Sequence, residues 1–222
     1  MSKIKVLIPT DFSMQSDFAG LMAKKLSGWL ELELHFIHII HLPSNITLAS
    51  DGTLHSDGEM DPRDFNRMKE MAEERLNGLK DQFPDVTTHI AYGGMKETVV
   101  KFAKMNHFDL ILMGTKGAFG LKEKLTGSET QHVVRTSDVP VLSVMCDRSD
   151  LEINNILLVH DFGAEEEQDL KLLKLILKAT GARLHLLYVS KSEKETAVEQ
   201  MKQNMESFIH DFGYENAEIH II

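Results

Sequence analysis

The sequence predicts an α/β protein: an open, parallel, five-stranded sheet with helices on both faces, followed by a partial repeat of the same unit. Three observations carry the prediction. Short runs of β-branched and aliphatic residues alternate with stretches of helical apolar spacing. The strand ends carry turn and glycine residues of a ligand-binding kind, Pro9-Thr10-Asp11 and Gly114. The opening pattern then returns at an offset of 150 residues, with His160-Asp161-Phe162 standing where Thr10-Asp11-Phe12 stood.

Residues 4–8 form the first strand, and Pro9 ends it. Thr10 to Ser13 is a turn, with Ser13 or Asp17 available to cap the next helix. Phe18, Leu21, Met22 and Leu26 keep helical spacing, and Gly28 is read as the helix stop. Residues 32–40 are the second strand. Residues 43–60 hold Pro, Ser, Asn, Asp and Gly without periodicity and read as a long loop. Asp61-Pro62 opens a helix with proline at its first position, and Pro84 closes it. Residues 86–91 are the third strand, 97–105 a helix, and 110–113 the fourth strand. A glycine-bearing loop and a helix over 129–136 follow, then a fifth strand over 139–145. Right-handed crossovers give the strand order 3-2-1-4-5, a Rossmann-like arrangement.

A polar linker, residues 147–150, separates this unit from the repeat. Residues 155–161 and 183–189 mirror 5–11 and 33–39. Two further amphipathic helices, 165–180 and 194–212, end at Gly181 and Gly213. Residues 217–222 resemble the third strand; matching Ile219 to Ile90 gives an offset of about 129 there. The predicted domains are therefore 1–146, complete, and 151–222, incomplete (β-α-β-α-β). The second lacks a fourth strand, a glycine loop and a fifth strand. Its first strand would be an apolar edge, which is expected to be covered by the other domain or by another copy of the chain. A truncated sequence is the alternative.

Composition narrows the partners. The chain has 222 residues, 42% hydrophobic and 26% charged, enough to bury a core. A net charge of −10 argues against nucleic acid or an anionic membrane as partner. One cysteine, Cys146, permits no intrachain disulfide. No apolar run reaches membrane-spanning length and no signal peptide is visible, so a cytoplasmic location is expected.

The chemistry concentrates after the fourth strand. Gly114 and Gly117 are followed nine residues later by Gly127-Ser128, which open a helix. Glycines at a strand end allow positive φ and leave no Cβ before a ligand, and helix N-termini present free N–H groups to phosphate. The spacing fits neither a Walker A loop nor a dinucleotide glycine fingerprint. Asp11 could serve as a turn residue or touch a ribose hydroxyl or a phosphate-bound metal. His35, His38 and His41 suggest a metal triplet, but strand alternation turns His38 away from the other two. His160 beside Asp161 is a lesser candidate for metal ligation. No nucleophile–base set is apparent.

These residues, together with His38-Ile39 and the Gly-x2-Gly-x9-Gly-Ser element, resemble the universal stress protein family, in the branch that binds ATP and in a tandem form. The resemblance implies adenine-nucleotide binding by Pro9, Thr10, Asp11, Ile39, Met113, Gly114, Lys116, Gly117, Gly127, Ser128, Glu129 and Thr130. Asp11 matches an acid at the adenosine end, Ile39 a residue near adenine, and Gly117, Gly127 and Ser128 the phosphate cradle. The resemblance further implies ATP with Mg or Mn, a homodimer or pairing of domains within the chain, and a regulatory role in stress. Hydrolysis in the family is slow or absent; a slow ATPase and a nucleotide-free dimerisation module are the alternatives. Glu129 departs from the small or neutral residue common at its position. It would repel phosphate unless a metal intervenes, and Lys116 could offset it.

Overall fold

The computed structural model describes residues 3–42, 46–48, 54–56, 62–115, 129–148, 150–162, 170–190 and 195–222. The chain divides into two compact units, 1–150 and 151–222.

In the first unit the main-sheet strands are β1 (Ile4–Pro9), β2 (Leu32–Ile40), β5 (Thr87–Tyr92), β6 (Leu110–Gly114) and β7 (Val141–Val144). All pair in parallel, in the order β5-β2-β1-β6-β7. Counted along these five strands, the order is 3-2-1-4-5. Val6, Leu7 and Ile8 of β1 and Ile111 and Leu112 of β6 are fully buried, as continuous apolar runs of central parallel strands must be. Helices α1 (Met14–Leu26) and α2 (Pro62–Gln82) cover one face. There Phe36 and Phe83 meet at 5.3 Å, and Gly20 leaves the room their ring tips occupy. Helices α3 (Met95–Met105) and α4 (Glu129–Thr136) cover the other, around Leu7, Ile37, Val99, Ile111 and Val133.

Residues 43–60 depart from the expected unstructured loop. They carry β3 (Ile46–Leu48) and β4 (Leu54–Ser56), which pair antiparallel. Strands of three residues are too short to display an alternation, which is why the sequence pattern hid them. Helix α1 stops where expected: Ser27 is its C-cap, with its N–H on the Ala23 carbonyl, and Gly28 follows, though without a positive φ.

The second unit is a three-stranded parallel sheet, β8 (Asn155–Val159), β9 (Arg183–Tyr188) and β10 (Ala217–Ile221), in the order β10-β9-β8. Helices α5 (Lys171–Thr180) and α6 (Glu195–Phe212) accompany it. Its core gathers Leu177, Leu184, Leu186 and Met205. The expected start of α5 near residue 165 lies outside the described residues. Gly181 caps α5 in the left-handed region, φ 69°, as its sequence position predicts.

The partial repeat is visible in strand register. Leu7 faces His35 and Leu157 faces His185, both at offset 150. On the next strand pair, His35 faces Thr87 and His185 faces Glu218, an offset of 131. The expected 129 was thus two residues out. A slip of two preserves the in–out alternation of a strand, so hydrophobic pattern alone could not detect it.

Candidate functional site

The five residues Pro9 to Ser13 form a hydrogen-bonded turn at the sheet's carboxyl end. Thr10 Oγ1 accepts from the Phe12 N–H at 3.0 Å and donates to Ser16 Oγ at 3.1 Å. Asp11 Oδ1 accepts from the Ser13 N–H at 3.0 Å. Ser13 caps α1, its side chain accepting from the Ser16 N–H. These bonds hold Phe12 at φ 60°, a left-handed conformation that is costly for a bulky residue. Its ring lies against His38 at 4.6 Å and under the Arg75 guanidinium at 5.3 Å. Burial works to raise the Asp11 carboxyl, but hydrogen bonds from the Ser13 side chain and amide outweigh it and hold the group below the usual carboxylate range.

His38 Nδ1 lies 2.8 Å from the Thr10 carbonyl oxygen. A carbonyl only accepts, so Nδ1 carries the proton and Nε2 of the neutral ring is an acceptor. His35 is engaged elsewhere, with His89 at 2.9 Å and Glu33 at 2.7 Å. His35 and His38 therefore do not share a site, as strand alternation implied.

Above this turn lies a cavity of about 330 Å³, open on one side. Its apolar lining comes from Ile37 and Ile39 of β2, Met95 of α3 and Met113 of β6. Its polar lining comes from Thr10, Asp11, Ser13 and Ser16 around the start of α1, and from Glu129 and Thr130 at the start of α4. Pro9 and Gly114 complete the floor. The cavity thus sits at the carboxyl ends of β1, β2 and β6, facing two helix N-termini, where α/β sheets take their ligands. Thr130 is buried, and its hydroxyl donates to the Gly114 carbonyl at 3.3 Å, tying α4 to the end of β6.

The structure brings Pro9, Thr10, Asp11, Ile39, Met113, Gly114, Glu129 and Thr130 around this one cavity. Lys116, Gly117, Gly127 and Ser128 lie outside the described residues. Gly114 has a different reason for its identity than expected. A Cβ there would lie 1.8 Å from the Gln15 carbonyl oxygen and 2.3 Å from its carbon. Its missing side chain makes room for the α1 backbone, and its φ is not positive. Sequence reasoning passed over Ile37, His38, Gln15, Ser16 and Met95 as lining residues. Ile37 and His38 had a usable signal, since both sit beside Ile39 at the same strand end. Met95 had none, because only the crossover of α3 brings it there.

The second unit repeats the turn. Phe162 has φ 51°, and its N–H donates to His160 Nδ1 at 2.7 Å, the role Thr10 Oγ1 plays for Phe12. His160 is thus a turn-holding residue, its ring buried against Phe162 and Phe208.

Comparison with known proteins converges on one family. Residues 4–144 match the model of the universal stress protein family. Universal stress protein MJ0577 of Methanocaldococcus jannaschii is 30% identical over 151 residues, spanning 63% of this chain and 93% of that protein. A second protein of that organism, MJ0531, is 30% identical over 144 residues, 63% of this chain and 81% of its own length. The crystal structure of a universal stress protein from Archaeoglobus fulgidus superposes with a TM-score of 0.71 at 25% identity. That match covers 98% of this chain and 76% of the other.

Proposed function

The chain belongs to the universal stress protein family, and from that premise we propose that its first unit binds an adenine nucleotide, ATP with Mg or Mn, in the cavity above β1, β2 and β6. The observation that carries the reading is that one cavity combines an apolar lining, Ile37, Ile39, Met95 and Met113, with a polar one from the starts of α1 and α4. A base stacks on the first, and ribose hydroxyls meet Asp11 and the Nε2 acceptor of His38. The phosphates run toward the α4 N-terminus; a further hold on them by Lys116, Gly117, Gly127 and Ser128 rests on the family resemblance.

The residues present fit a metal–nucleotide better than a bare one. Among the described cavity residues the charged groups are Asp11 and Glu129, both acidic. A triphosphate there is repelled unless a cation stands between. Glu129, at the start of α4 toward which the phosphates run, would hold such a cation through water, as hard divalent ions prefer. When bound, the ion supplies charge neutralisation of the phosphates.

The proposed output is regulatory. Nucleotide occupancy changes the conformation near α1 and α4 and thereby partner choice. We further propose that residues 151–222 are a second universal-stress-type unit that binds no nucleotide itself, and that the protein acts in the cytoplasm.

Calorimetry of the full chain with ATP and Mg²⁺ tests this. One equivalent of ATP is expected per chain, with binding lost in Gly117→Val. Two equivalents would overturn the assignment of the second domain, and none would overturn the nucleotide reading. Turnover removed by Asp11→Ala while binding survives would replace the regulatory reading with a slow ATPase.

A further inference from the structure

The two units carry the same pair of histidines at the same sheet position, and the second pair differs from the first in the ways that a metal site requires. In the first unit His35 on β2 and His89 on β5 bond ring to ring at 2.9 Å. In the second, His185 on β9 and His220 on β10 do the same at 2.9 Å. The offsets are 150 and 131, those of the strand registers.

In the first pair His35 is buried, with its Nε2 on Glu33, and His89 is half-buried. The ring of Phe108 meets His35 edge-on at 5.0 Å, and Phe102 of α3 meets His89 at 5.0 Å. Lys5 projects over Phe108 at 4.6 Å, adding positive charge beside the pair. On β5 the residue facing His35 is Thr87, a poor metal ligand. In the second unit Asn155 replaces Lys5 and Glu218 replaces Thr87. His185 and His220 are half-buried and Glu218 is exposed, so an ion can reach them from solvent.

We propose that His185, His220 and Glu218 form a binding site for a zinc-type divalent ion, held by His185 Nδ1, His220 Nε2 and a Glu218 carboxylate oxygen. The three ligand atoms lie within 4.8 Å of one another, and His185 Nδ1 stands 3.6 Å from Glu218 Oε2. Zinc bonds of about 2.0–2.1 Å at tetrahedral angles place ligand atoms about 3.3 Å apart, so the rings need to part by only about 0.4 Å. Two histidines and one carboxylate leave a fourth position for water.

The surroundings orient the ligands. His185 Nε2 lies 3.1 Å from Asn155 Oδ1, an acceptor, so Nε2 carries the proton and Nδ1 presents its lone pair toward the cluster. A ligand histidine held through its other nitrogen by a carbonyl is the arrangement that metal sites use. The ring-to-ring bond is then donated by His220 Nε2–H. An incoming ion displaces that proton, which returns on His220 Nδ1, and both rings stay neutral. Arg183 Nη1 also approaches Glu218 Oε2, at 3.6 Å, and competes for the carboxylate.

The test is zinc titration of the full chain without nucleotide, so its result is independent of the ATP reading. One equivalent is expected, with cobalt(II) giving the strong visible absorption of four-coordination. His220→Ala is expected to weaken zinc at least tenfold. Glu218→Gln and Asn155→Leu lie at the surface and leave the fold intact by far-UV circular dichroism. Asn155→Leu should cost on the order of tenfold, and Glu218→Gln a measurable loss. Arg183→Gln, which frees the carboxylate, should tighten binding. No zinc uptake, or the same isotherm in wild type, Glu218→Gln and His220→Ala, would overturn the site.

Discussion

Gly114 shows how one absent carbon fixes the site's floor. The backbone of Gln15 already occupies the space that a Cβ would need, and backbone cannot rotate aside as a side chain can. Gly114→Ala is therefore expected to lower stability by at least about 2 kcal/mol and to part β6 from α1, measured by urea denaturation. Nucleotide binding should fall with it. Ser13 acts at the same scale through the opposite device, an added acceptor. Ser13→Ala removes the cap of α1 and is expected to cost about 1 kcal/mol, whereas Ser13→Asp should keep most of it.

Among the elements, the β2–β5 pair carries a pH dependence. Burial first, then the nearby charges of His35 and Lys5, push the His89 pKa below the ordinary histidine value. The unfolded chain thus binds a proton at higher pH than the folded one. The sign follows: the contribution is fully present above about pH 6.5 and is lost as pH falls through the lowered folded value. Denaturant midpoints measured from pH 8 to pH 5 should decline below about pH 6.5. His89→Gln is expected to flatten that decline, and an unchanged slope would show that other groups set it.

For the whole molecule, two separate cores mean that ligand binding in one unit need not stabilise the other. ATP with Mg²⁺ is expected to shift the unfolding of residues 1–150 and leave that of 151–222 in place, read by hydrogen exchange of β6 against β9. The terminal strand β8 shows Leu157 at 57% and Val159 at 61% exposure. Among the described residues β8 pairs only with β9; apolar exposure on such an edge favours association, so the chain is expected to self-associate with rising concentration. Leu157→Lys should reduce that in sedimentation.

By itself the sequence determined what depends on neighbours along the chain. Buried runs such as residues 4–8 and 110–113 must be central strands. The Thr10 to Ser13 turn must lie at a strand end, and its return at His160 to Phe162 announces the repeat. Local chemistry is enough for such features because alternation, capping and turn formation act within a few residues. Only the tertiary structure decided what depends on residues far apart. It gave Gly114 its reason in the backbone of Gln15, brought Met95 into the cavity wall and set the β10 register two residues from its apparent match. It also joined His185 to His220 across two strands. Each of these is a through-space distance between segments that the chain order leaves unconstrained, and packing alone selects it.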